Sequence, residues 1–315
     1  MRIAMQVSPS PFSAIVAGRL LEAGHTIAGF WSDGERPAWR RDRRLAWTAP
    51  RCSLTKVVRK TGAPLHVCSS IKPGTPGYES LKAVDADIML SAMFMRIVTE
   101  GILSKYGKRA LNLHPSLLPR YRGPTPVMSI LIADDADTCG GVTLHILRKG
   151  IDTGEIVAQQ PVPYPPNIRF RQWEMALAIA ASQLALDSIQ SVLDGTSRLL
   201  AQPESHMFAS DEQKLKLVID PEWKAETARR IVNRIGSLRP LVIQLGNRKI
   251  LVRGWKETLG EPSGAAPKLK VRWVEFDISD ARIRLWRERF WTNRIRRVET
   301  VVSYRQAGAL IQLKR

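Results

Sequence analysis

The chain has 315 residues, of which 44% are hydrophobic and 24% charged, and it carries a net charge of +19. This balance excludes a disordered chain and suits two globular domains, and no apolar run reads as the ~20 residues that a membrane helix needs. The charge points to a polyanionic partner such as RNA, or to a phosphorylated substrate, against the plainer reading of a solvated basic surface. Arg2–Val7 reads as a short apolar strand, Phe12–Glu22 as a helix ended by Gly24, and His25–Trp31 as a second strand. A basic loop, GERPAWRRDRRLAW, follows, then a helix over Leu54–Thr61 closed by Gly62. Pro64–Val67 reads as a strand, Tyr78–Val84 as a helix, Ile88–Ala92 as a buried strand, Glu100–Tyr106 as a helix and Arg109–Leu113 as a strand. Gly141–Leu147 and Glu155–Val162 read as a strand pair around GIDTGE, and a long helix, Arg171–Leu193, stops at Gly195. The alternation predicts an α/β fold with a Rossmann-like, mostly parallel sheet and helices on both faces.

The polar stretch AQPESHMFASDEQ marks a domain boundary, giving residues 1–203 and 204–315. A helix over Lys224–Ile235 opens the second part. The short apolar runs in LVIQLGNRKILVRGW, VRWVEF, RIRLW and ETVVSY predict strands of a smaller, OB-like β-barrel. Cys52, Cys68 and Cys139 are odd in number and form no CxxC pair, so neither disulfides nor a zinc site is expected. Together with an N-terminus, MRIAMQV, that lacks the pattern of a secretion signal, they predict a cytoplasmic protein.

Three segments carry candidate chemistry. In LNLHPSLLPRYRG, residues 111–123, Asn112 and His114 alternate along one strand and therefore share a face. Pro115 has no amide to donate, so the ladder is expected to end there. That places both side chains at a strand's carboxyl end, where parallel α/β sheets put their sites. In GIDTGE, Asp152 reads as an Asx turn between glycines. Folded over His114, its carboxylate is expected to raise the imidazole's pKa and favour imidazolium. In SAMFMRIVTEG, Phe94, Met95, Arg96, Ile97 and Val98 continue an apolar strand into a loop, either as core packing or as a slot for a flat heterocycle bonded by backbone. His145, in GVTLHIL, reads as a structural histidine, or one that backs the catalytic side chains, rather than a catalyst. Phosphate-loop, dinucleotide, nucleophile-elbow and HExxH patterns are absent from the sequence.

Together these segments resemble the folate-dependent formyltransferases, over roughly residues 1–200 and more faintly over 211–256. LNLHPSLLPRYRG is similar to that family's Asn-x-His-Pro-Ser-Leu-Leu-Pro signature, GVTLHILRKGIDTGEIVAQ to its Gly-x-Thr…Asp-x-Gly segment, and FMRIV to its folate loop. The resemblance implies transfer of a formyl group from 10-formyltetrahydrofolate, a cosubstrate, to a primary amine, with no metal. It implies Asn112, His114 and Asp152 as the catalytic set and Phe94, Met95, Arg96, Ile97 and Val98 as the folate-binding loop. The acceptor branch it favours is methionyl-tRNA, with Arg40, Arg41, Arg43, Arg44, Arg120 and Arg122 as acceptor-binding residues. The competing branches act on a small amine such as a nucleotide-linked amino sugar, or on glycinamide ribonucleotide. A catalytically inactive, RNA-binding relative is the alternative of another class. Trp39 and Trp47 among the loop arginines suit RNA with exposed bases, as do Trp286 and Trp291 among Arg282, Arg284, Arg287, Arg289, Arg294, Arg296 and Arg297.

Overall fold

The computed structural model describes residues 1–33, 36–165, 168, 170–204, 217–236 and 238–288. In chain order the first part contains β1 (Arg2–Val7), α1 (Pro11–Glu22), β2 (Thr26–Ser32), α2 (Arg36–Thr48), α3 (Leu54–Thr61), β3 (Leu65–Val67), α4 (Pro76–Ala83), β4 (Ile88–Ala92), α5 (Glu100–Tyr106) and β5 (Ala110–His114). It continues with α6 (Pro126–Ile132), α7 (Ala136–Cys139), β6 (Gly141–Ile146), β7 (Ile156–Pro161) and α8 (Phe170–Leu193). These strands form one seven-stranded sheet in the order β3-β2-β1-β4-β5-β6-β7. The strands β1 to β5 pair in parallel, and β6 pairs antiparallel with both β5 and β7.

Alternation along each strand divides the core. Met5, Leu90, Leu111 and Leu113 pack with Phe12 and Leu20 of α1 and Trp173 of α8. Ala4, Met89 and Ala110 face the other way, against Tyr78 and Leu81 of α4 and Leu103 and Tyr106 of α5. The mostly parallel sheet with helices on both faces is therefore as the sequence predicts. By length and composition α8 passes for a membrane-crossing helix, contrary to the reading that no apolar run is long enough. Its apolar character reflects burial instead, since Trp173, Ala178, Ala181, Ala185 and Ile189 are wholly enclosed.

The stretch read as a basic loop is helix α2. Trp39, Asp42 and Leu45 recur at helical spacing and turn inward, while Arg40, Arg41, Arg43 and Arg44 stay exposed. Asp42 is 1% exposed and caps α3, its carboxylate accepting from the backbone N–H of Leu54 at 2.9 Å and of Thr55 at 2.7 Å. The helices α6 and α7 have no counterpart in the sequence reading. The three cysteines are free and buried.

The second part holds α9 (Ala225–Ile235) and a five-stranded antiparallel sheet of β8 (Leu241–Leu245), β9 (Arg248–Gly260), β10 (Lys268–Leu269), β11 (Trp273–Ile278) and β12 (Ala281–Arg287). Its order is β10-β11-β12-β9-β8, and three register shifts between β9 and β12 curl it toward a small barrel. The strand expected in ETVVSY lies outside the described residues, and the expected division at 203 and 204 adjoins residues 205–216, which also lie outside them. The two parts meet through Asp134, at the end of α6. Its carboxylate accepts from Arg230 of α9 at 2.5 Å and from Arg234 at 2.9 Å.

Asp42→Ala leaves two buried N–H groups of α3 without their acceptor, and about 1–3 kcal/mol of stability is expected to go with it. Urea denaturation followed by circular dichroism measures the loss, and a midpoint equal to wild type would show that Asp42 does not hold this helix pair.

Candidate active site

Strand β5 ends at His114, immediately before Pro115, as the missing proline donor dictates. Register pairs Asn112 with Ser91 of β4 and with His145 of β6, so three polar side chains stand in a row across one face of the sheet. Gln6 of β1 continues the row opposite Ser91.

Asp152 reaches this row from the turn between β6 and β7. Its φ of 51° is left-handed, a conformation in which Asp is among the better tolerated residues. A Cβ on Gly154 would lie 1.8 Å from the Ile146 carbonyl oxygen, so the close return of the turn onto β6 requires glycine. Gln202 ties the turn down by donating to the Asp152 carbonyl at 3.0 Å and to the Gly154 carbonyl at 2.5 Å. Arg122 in turn donates to Gln202 Oε1 at 2.7 Å and to the Pro203 carbonyl at 3.2 Å.

The Asp152 carboxylate sits among four groups. Oδ2 accepts from the Gly123 backbone N–H at 2.9 Å and lies 3.5 Å from His114 Nδ1. Oδ1 lies 3.3 Å from Asn112 Nδ2 and 3.4 Å from His145 Nε2. On the other side of its ring, His114 Nε2 is 2.9 Å from the Tyr121 carbonyl.

Burial works to raise the Asp152 pKa, but His114 foremost, and the Gly123 N–H, hold the carboxyl far below its ordinary value. Burial is also the largest influence on His114, and it sets that pKa below 6.5. Asp152 pulls upward, as the sequence reading holds, but desolvation outweighs it, so the imidazolium expected from the sequence gives way to a neutral ring at rest. Both nitrogens nevertheless face acceptors, and a proton arriving on this ring finds a partner on either side.

A cavity of about 350 Å³ opens beside these residues, within the range of small-molecule sites. Asn112, His114 and Asp152 line it, together with Phe94, Met95, Arg96, Ile97 and Val98. Phe94 and Val98 pack on the second core cluster, whereas Met95, Arg96 and Ile97 are exposed. The loop hangs from Asp33, which accepts from the Met95 backbone N–H and from Ser8 Oγ. Burial pushes the Asp33 carboxyl up against these two donors. The apolar wall of the loop fits a flat heterocycle, and Lys149 at the lining fits a carboxylate attached to it, while the neighbouring Arg148 is paired with Glu155 at 2.8 Å. Among the described residues no group of three or more His, Cys, Asp or Glu is placed to hold a metal ion.

The proposed acceptor residues are divided. Arg40, Arg41, Arg43 and Arg44 are exposed along α2, with Trp47 86% exposed beside them and Trp39 packed against the core. Arg120 is exposed but lies outside the cavity lining. Arg122 is 8% exposed and is committed to residues 202 and 203, so its guanidinium belongs to the turn support. In the second part, Arg282 and Arg284 form ion pairs with Glu275, Asp277 and Glu257, and Arg287 donates to the Lys270 carbonyl. Arg289, Trp291, Arg294, Arg296 and Arg297 lie outside the described residues. Sequence reading has His145 as structural or as backing the catalytic side chains, and the structure sets it against Asn112; Gln202, and Arg122 as support of the turn, are missed by it. The in-register pairing with Asn112 is the signal for His145, and it needs the sheet order.

Residues 77–186 match the family described as formyl transferase. A methionyl-tRNA formyltransferase of Chloroflexus aggregans is 34% identical over 220 residues, 69% of this chain and 66% of that relative. Residues 77–186 form a domain of the formyltransferase family. The match spans just under two thirds of that relative's length. A methionyl-tRNA formyltransferase of Halalkalibacterium halodurans is 28% identical over 85% of this chain and 81% of its own length. The fold of the protein superposes with a TM-score of 0.63 on an N-formyltransferase from Helicobacter canadensis solved with folinic acid and dTDP-3-aminofucose. That chain is 16% identical, and the match covers 91% of this chain and 99% of that one.

The two shifted groups fix the sign of a pH dependence. His114 and Asp152 both bind protons less readily in the folded state than at their ordinary values of 6.5 and 3.8. The unfolded chain therefore holds more protons, and stability rises with pH. The His114 contribution is complete above its ordinary value and is lost as pH falls below it, with Asp152 adding its loss at still lower pH. Melting temperature is expected to fall from about pH 7 to about pH 5 less steeply in His114→Gln than in wild type. Parallel slopes would mean that His114 is not buried neutral.

Proposed function

We propose that this protein moves the formyl group of 10-formyltetrahydrofolate to a primary amine, and that the amine is the methionyl group of methionyl-tRNA. The observation that carries the reading is the convergence of Asn112, His114 and Asp152 on a cavity that the Phe94–Val98 loop also lines. The folate ring occupies the apolar slot, with its formyl group toward Asn112 and His114.

The amine attacks the formyl carbon, and the carbonyl oxygen takes up the negative charge. Asn112 donates a hydrogen bond to that oxygen. Neutral His114 accepts the proton that the amine loses, and the resulting imidazolium lies between the Asp152 carboxylate and the Tyr121 carbonyl. The same proton then goes to the folate nitrogen as its bond to the formyl carbon breaks. Asp152 remains ionised throughout and stabilises the imidazolium.

The acceptor rests on the named function of the relatives at 27–34% identity and on the exposed arginines of α2. Four guanidiniums and an exposed indole on one helix suit a phosphate backbone with an unstacked base. The sugar-nucleotide reading follows from the ligand named for the Helicobacter canadensis protein. Release of tetrahydrofolate, measured with methionyl-tRNA and with a dTDP-linked amino sugar as alternative acceptors, separates the two. Turnover with the sugar alone would overturn the tRNA acceptor, and turnover with neither would overturn formyl transfer.

Asn112→Ala and His114→Ala are each expected to lower turnover by about 10²-fold or more. Steady-state kinetics on folded variants measures this, and a near-normal rate in either removes that residue from the reaction.

Replacing Arg40, Arg41, Arg43 and Arg44 by Ala is expected to weaken tRNA binding. Its salt dependence is expected to flatten by about 0.7–0.9 log units for each phosphate that an arginine no longer neutralises. Formylation of a small free amine stays unchanged, because α2 lies outside the cavity lining. Filter binding across a salt series reads both effects, and an unaltered salt slope would move the tRNA surface elsewhere.

A further inference from the structure

We infer that His145 is a positioning residue for formyl transfer, fixing which atoms of the Asn112 amide meet the reactants. The inference rests on the proposed reaction for its kinetic consequence but not for its geometry.

His145 is wholly buried on β6, directly opposite Asn112 on β5. Its Nδ1 is 2.9 Å from the Ile146 carbonyl oxygen, which can only accept. The ring proton therefore sits on Nδ1, and Nε2 presents its lone pair. That lone pair is 3.0 Å from Asn112 Nδ2. An amide nitrogen donates there, whereas a protonated Nε2 would set two donors face to face. The hydrogen bonding thus assigns the amide: nitrogen toward His145, oxygen away from it.

The amide has a second N–H, and it faces Asp152 Oδ1 at 3.3 Å. This is the longer of the two bonds and the one that can be redirected to a developing oxyanion. His145 keeps the amide plane in place while that happens. Without His145, Asp152 alone orients the amide, through the same N–H that the reaction has to borrow. The Asp152 carboxylate also lies 3.4 Å from His145 Nε2, so the lone pair meets the carboxylate unless the Asn112 N–H stands between them. Asn112, His145 and Asp152 are in this sense one hydrogen-bonded unit with a single self-consistent arrangement of protons.

The test begins with the substrate-free protein. Nitrogen-15 NMR of the His145 ring is expected to show a protonated Nδ1 and a hydrogen-bonded, unprotonated Nε2 at neutral pH. The opposite tautomer would overturn the inference whatever the enzyme's activity. The Asn112 side-chain amide signals are expected to move in His145→Leu and to return toward wild type in His145→Gln, whose amide oxygen restores an acceptor. In kinetics, His145→Leu is expected to lower kcat by about 10-fold or more with the folate KM unchanged. In an Asn112→Ala background the same change is expected to cost nothing further, because its effect runs through Asn112. A loss that repeats in full in that background would overturn the positioning role. If wild type forms no formyl product with either acceptor, the proposed function fails, while the tautomer and the Asn112 signals still decide this inference.

Discussion

A carboxylate taken out of water must find donors, and Asp152 finds them on stretches of chain that nothing local brings together. Gly123 follows the Pro-rich segment after β5, and Asn112 and His114 stand on β5 itself. Pairing with them keeps the carboxylate ionised, and the turn holds Asp152 in a left-handed conformation. The rest of the site answers to that requirement. Gly154 gives the turn room to pass the Ile146 carbonyl, and Gln202, itself held by Arg122, anchors it from the far end of the first part.

The sheet supplies what the turn cannot, which is rigidity. Gln6, Ser91, Asn112 and His145 occupy one register line across four strands, on the face that α4 and α5 cover farther down. Polar groups in such a row are held to a fraction of an ångström by ladders on both sides, and reacting groups need that precision. The cavity is also lined by a loop, pinned through Asp33 and Ser8 at Met93 and Met95 and left open at Ile97. A rigid polar row with an adjustable apolar wall suits a reaction in which a flat cosubstrate must enter and leave while the reacting carbon is held in one place.

Charge is distributed with similar economy. Arg282 and Arg284 of β12 are consumed by Glu275, Asp277 and Glu257, and Arg230 and Arg234 of α9 by Asp134, which joins the two parts of the molecule. The arginines of α2 remain exposed because Asp42 and Leu45 turn the other face of that helix inward. Net charge alone does not distinguish these populations. Whether an arginine is free depends on which acidic residues the fold brings to it.

The amino-acid sequence by itself determined the elements whose signals are local. Leu54–Thr61 between Ser53 and Gly62, Ile88–Ala92, Glu100–Tyr106 and the strand stopped by Pro115 are each set by periodicity, a cap or a proline within a few residues. It also placed Asn112 and His114 on one face and made Asp152 a glycine-flanked turn residue. Tertiary structure alone decided how these groups behave. Burial reversed the expected direction of the His114 pKa, because desolvation comes from residues packed around the ring and outweighs the neighbouring carboxylate. The side chain of Asp42 made α2 a fixed helix by reaching the start of α3. His145 joined the site because β6 pairs with β5, and Arg122 left the acceptor surface because Gln202, 80 residues away, claims its guanidinium. Each of these outcomes rests on contacts between residues far apart in the chain, and no spacing within a local window encodes them.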